Sequence, residues 1–215
     1  MFGEFQSWYD DHYDEIIKDF STFLSFPSVS TDPAYKQEVI NCSNWIVSYL
    51  KKLDLDTEIW ETSGHPTIFA KNLRAGPERP TLLIYHHYDV QPVTPLNLWK
   101  SDPFQPEIRN GSMYARGAVD NKGQCFYTLT ALKAFLELGE KYNFNLKLCI
   151  EGEEETGSHG LISILEKKKG DLQTDYILII DTDMMGEDKP AVTLGVRGIT
   201  TLTIEWRVAS ADLHS

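Results

Sequence analysis

Basic residues are in short supply. The chain has 20 Lys and Arg against 32 Asp and Glu, a formal net charge of −12 over 215 residues. A nucleic-acid surface needs a basic stripe, so this balance argues against one. Long apolar runs are missing as well. Hydrophobic residues make up 41% of the chain, but no run approaches the roughly 18 residues of a membrane span. The stretch from Met1 to Phe20 is aromatic and acidic, with no basic segment leading into an apolar one. No secretory signal is therefore expected there. Cysteine is scarce: Cys42, Cys125 and Cys149 make an odd count with no Cys-x-x-Cys pair. That pattern predicts reduced, mostly buried thiols in a cytoplasmic protein. Internal repeats and low-complexity tracts are absent.

What the chain does have is carboxylate, concentrated in a few places. Glu151-Gly152-Glu153-Glu154-Glu155 packs four carboxylates into five residues. Like charges this close repel and raise one another's pKa. An ordered core tolerates them mainly when a cation neutralises them. Tyr85-His86-His87-Tyr88-Asp89 offers imidazole and carboxylate at the end of an apolar strand. Arg116-Gly117-Ala118-Val119-Asp120-Asn121-Lys122-Gly123 adds an Asp in a glycine-flanked turn. Together these suggest a divalent metal centre built from His, Asp and Glu. Two plainer readings compete residue by residue: a buried, hydrogen-bonded core histidine for His87, and a helix N-cap for Asp120.

Hydrophobic periodicity predicts helices over residues 4–24, 34–53, 121–138 and 159–168. Gly139 is expected just past the third, and Lys167-Lys168-Lys169 suits the negative end of the fourth. Strands are expected over 57–60, 67–72, 81–85, 146–150, 176–180, 191–194 and 200–208. Residues 91–112, rich in proline, read as a long ordered loop. Alternating strands and helices define an α/β fold: a mostly parallel, mixed sheet with helices on both faces. In such sheets the chemistry lies beyond the carboxyl ends of the strands. His87 with Asp89, Glu151 to Glu155, and Asp181 with Asp183 each follow a predicted strand.

Several landmarks then stand in order: His87-Tyr88-Asp89-Val90-Gln91-Pro92, Trp99 with Asp102-Pro103-Phe104, and Tyr114 through Gly123. Glu151-Gly152-Glu153-Glu154-Glu155-Thr156-Gly157-Ser158, Asp181, and Asp212-Leu213-His214-Ser215 complete them. Their joint spacing resembles the M20 family of zinc-dependent peptidases, within it the carnosinase-like dipeptidase branch, over nearly the whole chain. The resemblance implies a dinuclear-metal hydrolase that cleaves the amide bond of dipeptides or short peptides. It implies two divalent ions, zinc first, with manganese or cobalt as substitutes. His87 and Asp181 would hold one ion, Glu155 the other, and Asp120 would bridge them. Asp89 would hold the His87 ring. Glu154 would act as general base on a metal-activated water, and His214 would polarise the substrate carbonyl. A cis peptide after Asp120 is implied too. Such ligands suit zinc, and two ions about 3.5–4 Å apart can clamp a tetrahedral intermediate.

The resemblance also divides the chain: residues 1–197 as an incomplete catalytic domain, and residues 198–215 as the first strand of an α+β lid domain. The family continues through that lid, which normally mediates a homodimer, and returns with a last histidine ligand for the second site. A fragment is therefore expected. His86 stands where the family usually has Gly, so a register placing His86 as the ligand competes with His87, whose spacing to Asp89 fits better. Asp183 competes with Asp181. Glu153 is expected in a solvated or supporting role, and His12 and His65 at the surface. Arg197 would either orient substrate or brace the hinge. An N-acyl-amino-acid deacylase of the aminoacylase or desuccinylase type shares the same metal chemistry. An inactive fragment that keeps the fold for binding is the reading from a different class.

Overall fold

The computed structural model describes residues 2–139, 142–186 and 189–206. The described chain divides into two compact units, one ending at Asp181 and the other starting at Thr182. Among the described residues, those that form the candidate metal centre lie in the first.

Its centre is a mixed five-stranded sheet ordered β1-β2-β6-β3-β7. The strands are β1 (Asp56–Trp60), β2 (Thr67–Asn72), β3 (Thr81–His87), β6 (Asn145–Glu151) and β7 (Tyr176–Ile179). The β1–β2 and β2–β6 pairs are antiparallel. The β3–β6 and β3–β7 pairs are parallel. All seven residues of β6 are buried, as expected of a strand covered on both faces.

Strand alternation divides the side chains between two cores. Leu146, Leu148 and Ile150 of β6, Ile84 of β3 and Ile68 and Ala70 of β2 point into the larger core. There they meet helices α1 (Phe2–Leu24), α2 (Lys36–Lys52) and α3 (Lys122–Glu137). The α2 residues Val39, Cys42, Ile46, Tyr49 and Leu50 are buried, at the spacing of a helical stripe. Phe20 of α1 stacks on Phe126 of α3 with ring centroids 5.1 Å apart. On the opposite face, Leu83, Tyr85 and Cys149 pack against Leu161 and Ile164 of α4 (His159–Lys168). All three cysteines are buried and free.

Several boundaries differ from the sequence-based expectation in an informative way. The strand expected over 81–85 runs on to His87, because both histidines continue the ladder against Ile150 and Glu151 of β6. The proline-rich segment contains a hairpin, β4 (Glu107–Arg109) and β5 (Ser112–Tyr114). Asn110 and Gly111 turn it, with φ of 50° and 81°. An Asn-Gly pair is the strongest short-range hairpin signal. Gly139 does end α3 with φ of 77°, its N–H donating to the Leu136 carbonyl at 3.0 Å. The strands expected over 191–194 and 200–208 are absent from the described residues, which reach 206. Apolar alternation makes a strand only where a partner satisfies its backbone groups, and no described residue pairs there. No helix among the described residues is long and apolar enough to cross a membrane.

Candidate metal centre

Parallel pairing brings the carboxyl ends of β3, β6 and β7 to one edge of the sheet, with His87 opposite Glu151. His86 and His87 are neighbours on one strand, so they leave it on opposite faces. Only one of them can enter a given site.

His87 is the one that meets the carboxylates. It is fully buried. Its Nδ1 lies 3.3 Å from Asp89 Oδ1 and 3.1 Å from the Asp89 carbonyl oxygen. Its Nε2 lies 3.1 Å from Asp120 Oδ1, 3.8 Å from Asp181 Oδ2 and 3.9 Å from Glu154 Oε2. One ligand atom each from His87, Asp120 and Asp181 falls within 4.8 Å of the others. Imidazole nitrogen and carboxylate oxygens converging on one small volume suit a divalent ion. The peptide joining Asp120 to Asn121 is cis.

Asp89 organises the pocket. It is fully buried, and Ser30 Oγ donates to its Oδ2 at 2.6 Å. The backbone N–H groups of Glu154 and Glu155 donate to its two oxygens, each at 3.1 Å. One carboxylate therefore orients the His87 ring and anchors the acidic 3-10 turn Glu154–Thr156. The ring contact is the one the family resemblance implies for Asp89; the backbone contacts were not expected, because a backbone donor leaves no pattern in side-chain spacing.

Glu155 stands outside the three-residue group. Its Oε2 accepts from Gln91 Nε2 at 2.7 Å. Asp183 is not part of the group either. Glu153 is structural. Its carboxylate accepts from Gly160 N at 2.8 Å, at the start of α4, and from His65 N at 3.4 Å. His65, expected at the surface, is partly buried with Nε2 3.1 Å from the Ser30 carbonyl. His86 packs against α3, with Nδ1 2.9 Å from Asn121 Oδ1 and Nε2 3.1 Å from Thr128 Oγ1. It is not a ligand in this arrangement. His214 lies outside the described residues, and Arg197 belongs to the second unit.

Electrostatics follow from this crowding. Burial pulls the His87 pKa down, but the hydrogen bond and charge of Asp89, with Asp181 and Glu154, outweigh it and hold the ring at about 9. Burial takes His86 the other way, to about 4. Glu154 is raised by burial, and the charges of Glu155, Asp181 and Asp89 add to that against the opposing pull of His87. Burial raises Glu155 too, the Gln91 hydrogen bond opposing it and Asp120 adding to it. An excess of carboxylates around one protonated imidazole is what a bound dication would relieve.

A sheet ending in this constellation defines an α/β protein with a candidate divalent-metal site. Residues 83–213 match the model of Peptidase family M20/M25/M40, and the chain belongs to that family. It is 36% identical over 96% of its length to the Cys-Gly metallodipeptidase dug1 of Schizosaccharomyces pombe, covering 46% of that protein. It is 30% identical over 96% of its length to the Beta-Ala-His dipeptidase of Mus musculus, covering 45% of that protein. The crystal structure of human carnosine dipeptidase 1 superposes with a TM-score of 0.79 at 29% identity, over 85% of this chain and 41% of that one. The chain thus spans less than half the length of these relatives.

Proposed function

We propose that this chain carries the metal centre of a dipeptidase that hydrolyses the amide bond of dipeptides or short peptides. The observation that carries the reading is the convergence of His87, Asp120 and Asp181 within 4.8 Å, with the Glu154 carboxylate 3.9 Å from the same imidazole nitrogen. Kinship with dipeptidases supports the substrate class.

In this proposal His87 and Asp181 would hold a first divalent ion, Glu155 would serve a second, and Asp120 would be shared between them. Zinc suits the donor set best, with manganese or cobalt able to replace it. Bound ions supply Lewis-acid polarisation of the scissile carbonyl and a lowered pKa for water. Asp89 fixes the His87 ring so that Nε2 faces the site. Gln91 steadies Glu155. Glu154, its pKa raised toward the working range, takes a proton from the attacking water and delivers it to the leaving amine. Asp89 positions it through the Glu154 N–H, so the base and the imidazole share one anchor. The lid assignment of residues 198–215, with His214 on the substrate carbonyl, belongs to the same proposal, as does a homodimer. Three buried thiols suit a reducing compartment such as the cytoplasm.

The test is a panel of dipeptides and N-acyl amino acids offered to the metal-loaded protein that carries this chain. Chelator-sensitive hydrolysis of dipeptides is expected, with Glu154→Gln lowering kcat by about 10²–10⁴-fold. Turnover of N-acyl amino acids alone would move the assignment to a deacylase. Turnover that chelators leave intact would reject the metal centre.

A further inference from the structure

Asn121 occupies the N-cap position of α3, yet its side chain makes no capping bond. Its amide joins two strand ends instead. Nδ2 donates to the Ile180 carbonyl at 2.7 Å and to Asp181 Oδ1 at 2.8 Å. Oδ1 accepts from the His87 backbone N–H at 3.3 Å. Those partners fix the amide's orientation: reversed, its oxygen would face two acceptors and its nitrogen a donor. The Oδ1 atom is therefore also what faces His86 Nδ1, 2.9 Å away.

The tautomer of His86 follows. A neutral imidazole carries one hydrogen, and an acceptor facing Nδ1 requires it there. Nε2 then presents a lone pair to Thr128 Oγ1, 3.1 Å away. The Thr128 hydroxyl donates to the Gln124 carbonyl at 2.9 Å, and by rotation the same proton can be turned to the ring. His86, Asn121 and Asp181 thus form a chain of hydrogen bonds with a single polarity, which Thr128 extends when its hydroxyl turns to Nε2. His86 and Asn121 are both fully buried, so no water competes for these bonds.

We propose that His86 is a positioning residue: its Nδ1–H locks the Asn121 amide, and Asn121 in turn holds the Asp181 carboxylate beside His87. The role rests on the metal-centre reading of the site. Residues behind a metal ligand orient it, and their loss typically weakens metal binding by about 10–100-fold. Asp181 has only 27% of its side chain exposed, and Asn121 is the partner that sets which oxygen remains for an ion.

Two readouts test this. Long-range ¹H–¹⁵N correlation spectra of the histidine-labelled chain report the ring tautomer directly, with or without metal. The expected result is a protonated Nδ1 and an unprotonated Nε2 on His86. A protonated Nε2 with a bare Nδ1 would overturn the proposal. The second readout is Co²⁺ titration followed by visible absorption. His86→Leu is expected to bind Co²⁺ about 10–100-fold more weakly. Thr128→Val, which removes only the hydroxyl, is expected to weaken binding in the same direction, and Thr128→Ser to restore it. Thr128→Val supplies the test should His86→Leu fail to fold by circular dichroism. Co²⁺ affinity equal to the parent's in every variant would overturn the positioning role alone. No Co²⁺ binding by the unsubstituted chain would overturn the metal-centre reading and this role with it.

Discussion

Asp89 is the residue on which the site turns. Its two oxygens receive a serine hydroxyl, two backbone N–H groups and the His87 ring edge. Asp89→Asn keeps the shape but replaces one acceptor oxygen with a donor NH₂, which must face N–H groups. The expected outcome is a loss of Zn²⁺ affinity of about 10–100-fold, measured by calorimetry. An unchanged affinity would remove Asp89 from the account. His87 provides a pH prediction. In the metal-free protein its pKa stands at about 9 against the ordinary 6.5. A raised pKa means the folded state binds the proton more tightly, so its stabilising effect is complete below about pH 6.5 and is lost as pH rises through about 9. Urea midpoints of the metal-free chain should fall across that window, and His87→Gln should abolish the fall. Metal affinity runs in the opposite sense. The ring must shed its proton to bind, so affinity should rise by up to about tenfold per pH unit until about pH 9.

Elements bring these residues together, and close packing holds the elements. Gly152 follows β6, and a Cβ there would run into the hydroxyl and ring of Tyr88. Tyr88 is fully buried, and its hydroxyl donates to the Pro66 carbonyl at 2.7 Å, so it has nowhere to move. Gly152→Ala is expected to destabilise the fold by about 1–3 kcal/mol, read from chemical denaturation. A neutral result would mean that the β6 exit is looser than its contacts indicate. This level was also the most legible in the sequence. The strand over 67–72 and the helix over 159–168 were found to the residue, because an unbroken apolar pattern and clear boundary residues mark them. The proposed ligands His87, Asp120 and Asp181 stood out as candidates because each sits at a strand end or in a glycine-flanked turn, and the family resemblance implied their roles. The supporting set did not stand out. Ser30 reaches Asp89 because Val29 runs alongside Val90, a long-range pairing with no local signature. Asn121 looks like an ordinary helix cap until its partners across the sheet are known. The expected strands after residue 190 failed for the opposite reason: their pattern was local, and strands need partners.

At the scale of the whole molecule the sheet edge stands out. Among the described residues β7 is an edge strand, and Tyr176, Ile177, Leu178 and Ile179 are 39–65% exposed. Apolar edge strands pair readily with other chains. The chain in isolation is expected to self-associate as its concentration rises, and Ile177→Lys with Ile179→Lys should suppress this in sedimentation velocity. A monomer at every concentration would count against that expectation. In the proposed function, distant carboxylates and one imidazole gather around a cation. Anomalous diffraction at the zinc edge, from crystals soaked in Zn²⁺, tests it most directly. A peak is expected about 2.0–2.2 Å from His87 Nε2 and from oxygens of Asp120 and Asp181. Zinc bound elsewhere, with those three side chains turned apart, would contradict it.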